Sequence, residues 1–143
     1  MTKVTKKRKS ISILLVEDSP VHAFLTRETL ALSEKTSYVI STVIDGVNAL
    51  SYLYRINGYE HAPKPDLIFL DLNLPRMHGF AFLSRIKKDA ELKTIPVCIL
   101  TSSEARTDIK KAKALNADCY LIKPLNLEKF ETTFSGIIAN LLQ

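Results

Sequence analysis

The sequence predicts an α/β protein, a doubly wound parallel sheet of five strands with helices on both faces. Short apolar runs alternate with stretches of helical periodicity from residue 11 onward, the pattern of repeated βα units. Leu67, Ile68, Phe69 and Leu70 are apolar in unbroken succession, as a central strand covered on both sides must be. Charged residues close the first, third and fifth runs: Glu17 and Asp18, then Asp71, then Lys123.

The elements follow in order. Residues 11–16 form the first strand, and Ser19 caps a helix with Pro20 at its first position. Val21, Phe24, Leu25 and Leu32 are spaced as that helix's buried stripe. Residues 38–43 form the second strand. Asp45 then caps a helix that carries Val47, Leu50, Leu53 and Tyr54 on one face. Gly58, Pro63 and Pro65 punctuate 56–65 as a long loop, a candidate partner surface. The third strand is 66–70, after which Pro75 and Gly79 break the chain before a helix with Phe82, Leu83 and Ile86 inward.

The fourth strand runs from Pro96 or Val97 to Leu100, since proline is tolerated as a strand's first residue. The next helix, 104–115, offers only Ala105, Ile109, Ala112 and Leu115 to the core, while Lys110, Lys111 and Lys113 face out. Such thin burial predicts the least firmly packed helix. After a fifth strand at 119–122, Asn126 caps a single last helix bearing Leu127, Phe130, Phe134, Ile137, Ile138 and Leu141.

Length and charge limit the function classes. A chain of 143 residues that is 46% hydrophobic fits one folded domain, residues 11–143, and no second module. No apolar stretch approaches the ~20 residues of a membrane span, and the first run is too short for a secretory leader. Membrane insertion is not expected, and a cytoplasmic location is. The net charge of +5 comes from Lys3, Lys6, Lys7, Arg8 and Lys9; the rest of the chain is balanced. Residues 1–10 read as a disordered basic tail, so direct nucleic-acid binding is not expected. Cys98 and Cys119 lack the close spacing of a zinc or redox pair and read as reduced core thiols.

The chemistry belongs at the carboxyl ends of the strands, where ligands of doubly wound sheets sit. Glu17, Asp18, Asp71, Thr101, Ser102 and Lys123 all fall on that edge. Clustered carboxylates repel one another unless a cation intervenes, and a hard ion such as Mg²⁺ takes one or two carboxylates plus waters or phosphate oxygens. Asp18 and Asp71 suit direct ligation, and Glu17 suits a water-mediated place. A phosphoryl group on Asp71 would find positive partners in Mg²⁺ and Lys123, with donors at Thr101 and Ser102.

These residues resemble the receiver domain of two-component response regulators. The matching pieces are Leu14 to Pro20 with its acidic pair, Asp66 to Phe80 with the acceptor aspartate, Ile95 to Ser103 with a switch hydroxyl, and Ala117 to Phe130 with an aromatic and a lysine. The resemblance implies a flavodoxin-like or CheY-like three-layer sandwich with strand order 2-1-3-4-5. It implies Asp71 as phosphoacceptor and Mg²⁺ held by Glu17, Asp18, Asp71 and the backbone carbonyl of Asn73. Lys123 would pair with the acceptor, Thr101 and Tyr120 would be the switch residues, and the bond before Pro124 would be cis. Where the family usually has Met-Asp-Gly, this chain has Met77, His78 and Gly79; His78 reads as an exposed capping residue.

The partners implied are a sensor histidine kinase of the phytochrome type, and a downstream protein or histidine phosphotransfer protein. A homodimer through the fourth helix, fifth strand and fifth helix is also implied. The chain is expected to act as a single-domain phosphoacceptor switch and not as an enzyme. Its alternative is a binding module that ignores phosphorylation and keeps the acidic pocket as a relic. An aspartyl-phosphate phosphatase would need an acid two positions after Asp71, where Asn73 stands. A flavodoxin would need a phosphate loop after the first strand, and none is present.

Overall fold

A computed structural model describes residues 10–142. The basic tail foreseen at 1–10 lies, but for Ser10, outside the described residues. The elements are β1 (Ile11–Val16), α1 (Pro20–Ala31), β2 (Tyr38–Val43), α2 (Gly46–Tyr54), β3 (Leu67–Leu70) and α3 (Gly79–Lys87). They continue with β4 (Val97–Thr101), α4 (Arg106–Ala114), β5 (Cys119–Ile122), α5 (Leu127–Thr133) and α6 (Ser135–Leu141).

The five strands form one sheet in the order β2-β1-β3-β4-β5, with every pairing parallel. All carboxyl ends therefore share one edge. The strand order reverses between β1 and β3, where Val16 is paired with Leu70, so Glu17 and Asp71 leave the sheet side by side. Successive side chains of a strand point to opposite faces, and the core divides accordingly. One face packs α2, α3 and part of α4 on Leu14, Val16, Ile68, Leu70, Val97 and Ile99. The other packs α1, α5 and α6 on Ile13, Leu15, Phe69, Cys98 and Leu100. Asp66 precedes β3 instead of opening it, and its carboxylate and N–H form a reciprocal pair with the Ser12 backbone.

Three helix expectations need correction. In α1 the buried residues are Ala23, Thr26 and Leu30, whereas Val21, Phe24, Leu25 and Leu32 are 49–72% exposed. Both sets have helical spacing. Small residues let the helix axis approach the sheet closely, so the less hydrophobic stripe is the inward one. In α2, Leu50 is buried and Leu53 packs at the margin, but Val47 and Tyr54 face out and Ala49 and Tyr52 take their place. The single last helix is two, broken at Phe134, which has helix-end backbone angles while its ring stays buried against Phe130.

Packing at α4 is thin, as expected, but of the predicted stripe only Ala112 is buried: Leu115 packs at the margin, Ile109 is exposed and Ala105 lies before the helix. α4 is nonetheless not the least buried helix, since α6 buries no residue fully. Phe82, Leu83 and Ile86 of α3 are fully buried, as expected.

Candidate functional site

Glu17 and Asp71 continue the paired ends of β1 and β3, and the Asp71 N–H donates to the Val16 carbonyl at 3.1 Å. Both carboxylates are buried and Asp18 is exposed beside them. One oxygen from each of the three lies within 4.8 Å of the others. The backbone of Lys123 donates to the Thr101 carbonyl at 2.8 Å, extending the β4–β5 pairing by one residue, and the peptide to Pro124 is cis. From there the ammonium reaches back across the edge. Its Nζ stands 2.6 Å from Glu17 Oε1 and 2.9 Å from Asp71 Oδ2.

The electrostatics follow from this crowding. Burial pushes the Glu17 carboxyl above its ordinary range, and the Lys123 ammonium and the Ser19 N–H only partly offset it. Burial works against the charged form of Lys123, but the two carboxylates outweigh it and hold the ammonium above its ordinary value. Three carboxylates thus face one ammonium. The set consists of hard oxygens, one of them open to solvent, and it fits a hard divalent ion that keeps some of its water.

Around this cup the other foreseen residues take distinct places. Thr101 is fully buried at the end of β4, and its Oγ1 accepts from the Ser103 N–H at 3.4 Å. Tyr120 O–H donates to the Ser103 carbonyl at 2.9 Å, and Ser103 Oγ donates to Asp108 in α4 at 2.6 Å. Ser103 therefore links the carboxyl end of β4 to the Tyr120 side chain of β5 and to the first turn of α4. Ser102 is exposed. Asn73 is exposed too, and its N–H donates to Asp71 Oδ1 over 3.4 Å.

The loop from Asp71 to Gly79 is held at both ends. Gly79 lies so close to the strand end that a Cβ there would come within 2.6 Å of the Asp71 carbonyl. His78 is the exposed N-cap of α3, with Nδ1 accepting from the Phe80 N–H at 3.1 Å. Between them Arg76, with left-handed backbone, pairs through Nε with Asp45 Oδ2 at 2.7 Å. Asp45 also caps α2, accepting from the Asn48 N–H.

Three features of the site escape sequence reasoning. They are the direct Glu17–Lys123 pair, the Asp45–Arg76 tie, and His22, whose Nδ1 lies 2.9 Å from Lys123 Nζ. Each joins residues at least 31 positions apart. No local pattern announces them.

The fold, the acidic trio and the opposed lysine define a receiver. The chain belongs to the response regulator receiver domain family, whose pattern it matches over residues 13–135. Response regulator Rcp1 of Synechocystis sp. is 41% identical over 128 residues, covering 87% of this chain and 84% of that protein. The crystal structure of the Mn²⁺-bound form of response regulator Rcp1 has a TM-score of 0.75 at 38% identity, covering 93% of this chain and 95% of that one. The phosphorylated cyanobacterial phytochrome response regulator RcpA has a TM-score of 0.76 at 38% identity, covering 92% and 91%.

Proposed function

We propose that this response regulator accepts a phosphoryl group on Asp71 from a phytochrome-type sensor histidine kinase in the cytoplasm. It signals the change through α4, β5 and α5. The observation that supports this most directly is Asp71 itself, a buried carboxylate at a sheet edge, set between an ammonium and two further carboxylates. The phytochrome link rests on the likeness to Rcp1 and RcpA.

A carboxylate oxygen of Asp71 forms the bond to phosphorus as the bond to the donor's imidazole nitrogen breaks. Glu17, Asp18, Asp71 and the Asn73 backbone carbonyl would hold Mg²⁺, which when bound supplies positive charge opposite the transferring phosphoryl oxygens. Lys123 is already positioned to meet those oxygens from the other side. The new dianionic group competes with Glu17 for Lys123 and draws in the Thr101 hydroxyl. Because Thr101 and Tyr120 share Ser103, movement of Thr101 releases Tyr120 and loosens the Ser103–Asp108 bond to α4. The altered face then serves a downstream protein, a histidine phosphotransfer protein or a second copy of the chain. The protein is a phosphoacceptor and not an enzyme that turns over a substrate.

Phos-tag electrophoresis with acetyl phosphate and Mg²⁺ tests the acceptor. The wild-type chain is expected to shift and Asp71→Asn is not; an unshifted wild type favours the phosphorylation-independent binding module. Lys123→Ala is expected to keep Mg²⁺ binding, read by titration calorimetry, and to lose most of the conformational response, read by hydrogen exchange in α4.

A further inference from the structure

Cys98 and Cys119 are separated along the chain but are register partners on neighbouring strands β4 and β5. Both side chains face the same core layer. Cys98 is fully buried, Cys119 is half-buried near the start of the edge strand, and both are free thiols. Neighbouring strands run about 4.8 Å apart, inside the range of roughly 4.4–6.8 Å between Cα atoms that a disulfide spans. The same two strands end three residues later at Thr101 and Ile122, with Lys123 next. This juxtaposition has no place in the phosphoacceptor chemistry.

We propose that Cys98 and Cys119 form a reversible intramolecular disulfide on exposure to hydrogen peroxide, and that this bond restrains the β4–β5 pair carrying Thr101 and Lys123. The two thiols are unequal. The neighbouring Cys98 thiol holds Cys119 below its ordinary value, opposed by burial and helped by the Tyr120 N–H and Lys129. Burial pushes Cys98 well above its own. Cys119 is therefore the more accessible and more ionised thiol, and Cys98 the resolving one.

The Cys119 thiolate attacks one peroxide oxygen, the O–O bond breaks and hydroxide leaves, giving a sulfenic acid. The Cys98 sulfur then attacks the Cys119 sulfur, and the S–O bond breaks. The oxygen departs as water with the Cys98 proton. Two thiols lose two electrons and one peroxide becomes two waters. Side chains leaving adjacent strands in parallel hold their Cβ atoms near the strand spacing, wider than the roughly 3.8 Å of a relaxed disulfide. A dithiol reductant should therefore reopen the bond readily.

The disulfide rests on strand register, the shared core layer and the exposure of Cys119, whereas its effect on signalling rests on the function proposed above. The full chain treated with peroxide, alkylated and digested is expected to yield a Cys98–Cys119 cross-linked peptide. That peptide disappears with dithiothreitol and is absent from Cys119→Ser. Oxidation of Cys119 to sulfinic acid with Cys98 still alkylatable overturns the proposal. Because Cys98→Ala alters the core, the wild-type digest and Cys119→Ser carry the test without it. In oxidised protein the acetyl-phosphate-driven exchange response of α4 is expected to fall several-fold. An equal response in oxidised and reduced protein overturns the restraint. A reduced protein that does not respond at all speaks against the phosphoacceptor reading and leaves the disulfide result standing.

Discussion

α3 and α4 are both nine residues long and lie on the same face of the sheet, yet they are held very differently. α3 buries Gly79, Phe80, Phe82, Leu83 and Ile86, and its N-terminus is capped by the His78 side chain. α4 buries only Ala112 and has no side-chain cap. The strands that follow them differ in the same sense: all of β4, after α3, is buried, while of β5, after α4, only Leu121 is. Apolar burial is the main stabilising contribution, so the half of the domain built on α3 is firmly held and the half built on α4 and β5 is loosely attached. Under the proposed function, a phosphoryl group worth only a few kcal/mol of differential contacts would shift the loose half and not the other.

Truncating one side chain in each helix should separate α3 from α4 by the largest margin. Phe82→Ala is expected to cost about 3–5 kcal/mol, the range for emptying a buried aromatic site. Ile109→Ala should change stability by less than about 0.5 kcal/mol, as exposed substitutions do. Urea unfolding measures both, and equal losses would mean the two helices are held alike.

A smaller change sharpens the contrast. Ala105→Asp supplies the missing cap to α4 and is expected to add about 1 kcal/mol. If looseness of α4 is what phosphorylation exploits, the same variant should show a weaker exchange response to acetyl phosphate. An undiminished response would separate the switch from the stability of α4.

The smallest expected effect lies in the firmly held half. Burial alone would raise the Asp45 carboxyl, but the Arg76 guanidinium and the N–H groups of α2 outweigh it and hold it below the ordinary aspartate value. Such a group stabilises the fold above its unfolded value, and that contribution is lost as pH falls through the lower folded one. Arg76→Ala should therefore lower the urea midpoint at neutral pH. The gap to wild type should close as pH drops below about 4, near the unperturbed aspartate value. A gap that persists in acid would assign the loss to packing instead of charge.

Much of this was readable in the chain. Ser19, Asp45, His78 and Asn126 do cap their helices, because a cap depends on a side chain and the N–H groups two or three residues on. The strands were legible for a similar reason, since runs such as Ile13 to Val16 have only one way to hide from water. The α1 stripe is not legible in the same way, because Val21, Phe24 and Leu25 fit helical periodicity as well as Ala23, Thr26 and Leu30 do. Periodicity reports that a helix has faces and not which one meets the sheet.

By itself the amino-acid order determined the element types, their caps and the acidic and basic residues that end strands, since each depends on neighbours within a turn or a pleat. Only the folded arrangement decided that Lys123 bonds Glu17 as well as Asp71, that Arg76 ties down Asp45, and that Cys98 lies opposite Cys119. Those pairings come from strand order and register, which are set by how all the elements pack together.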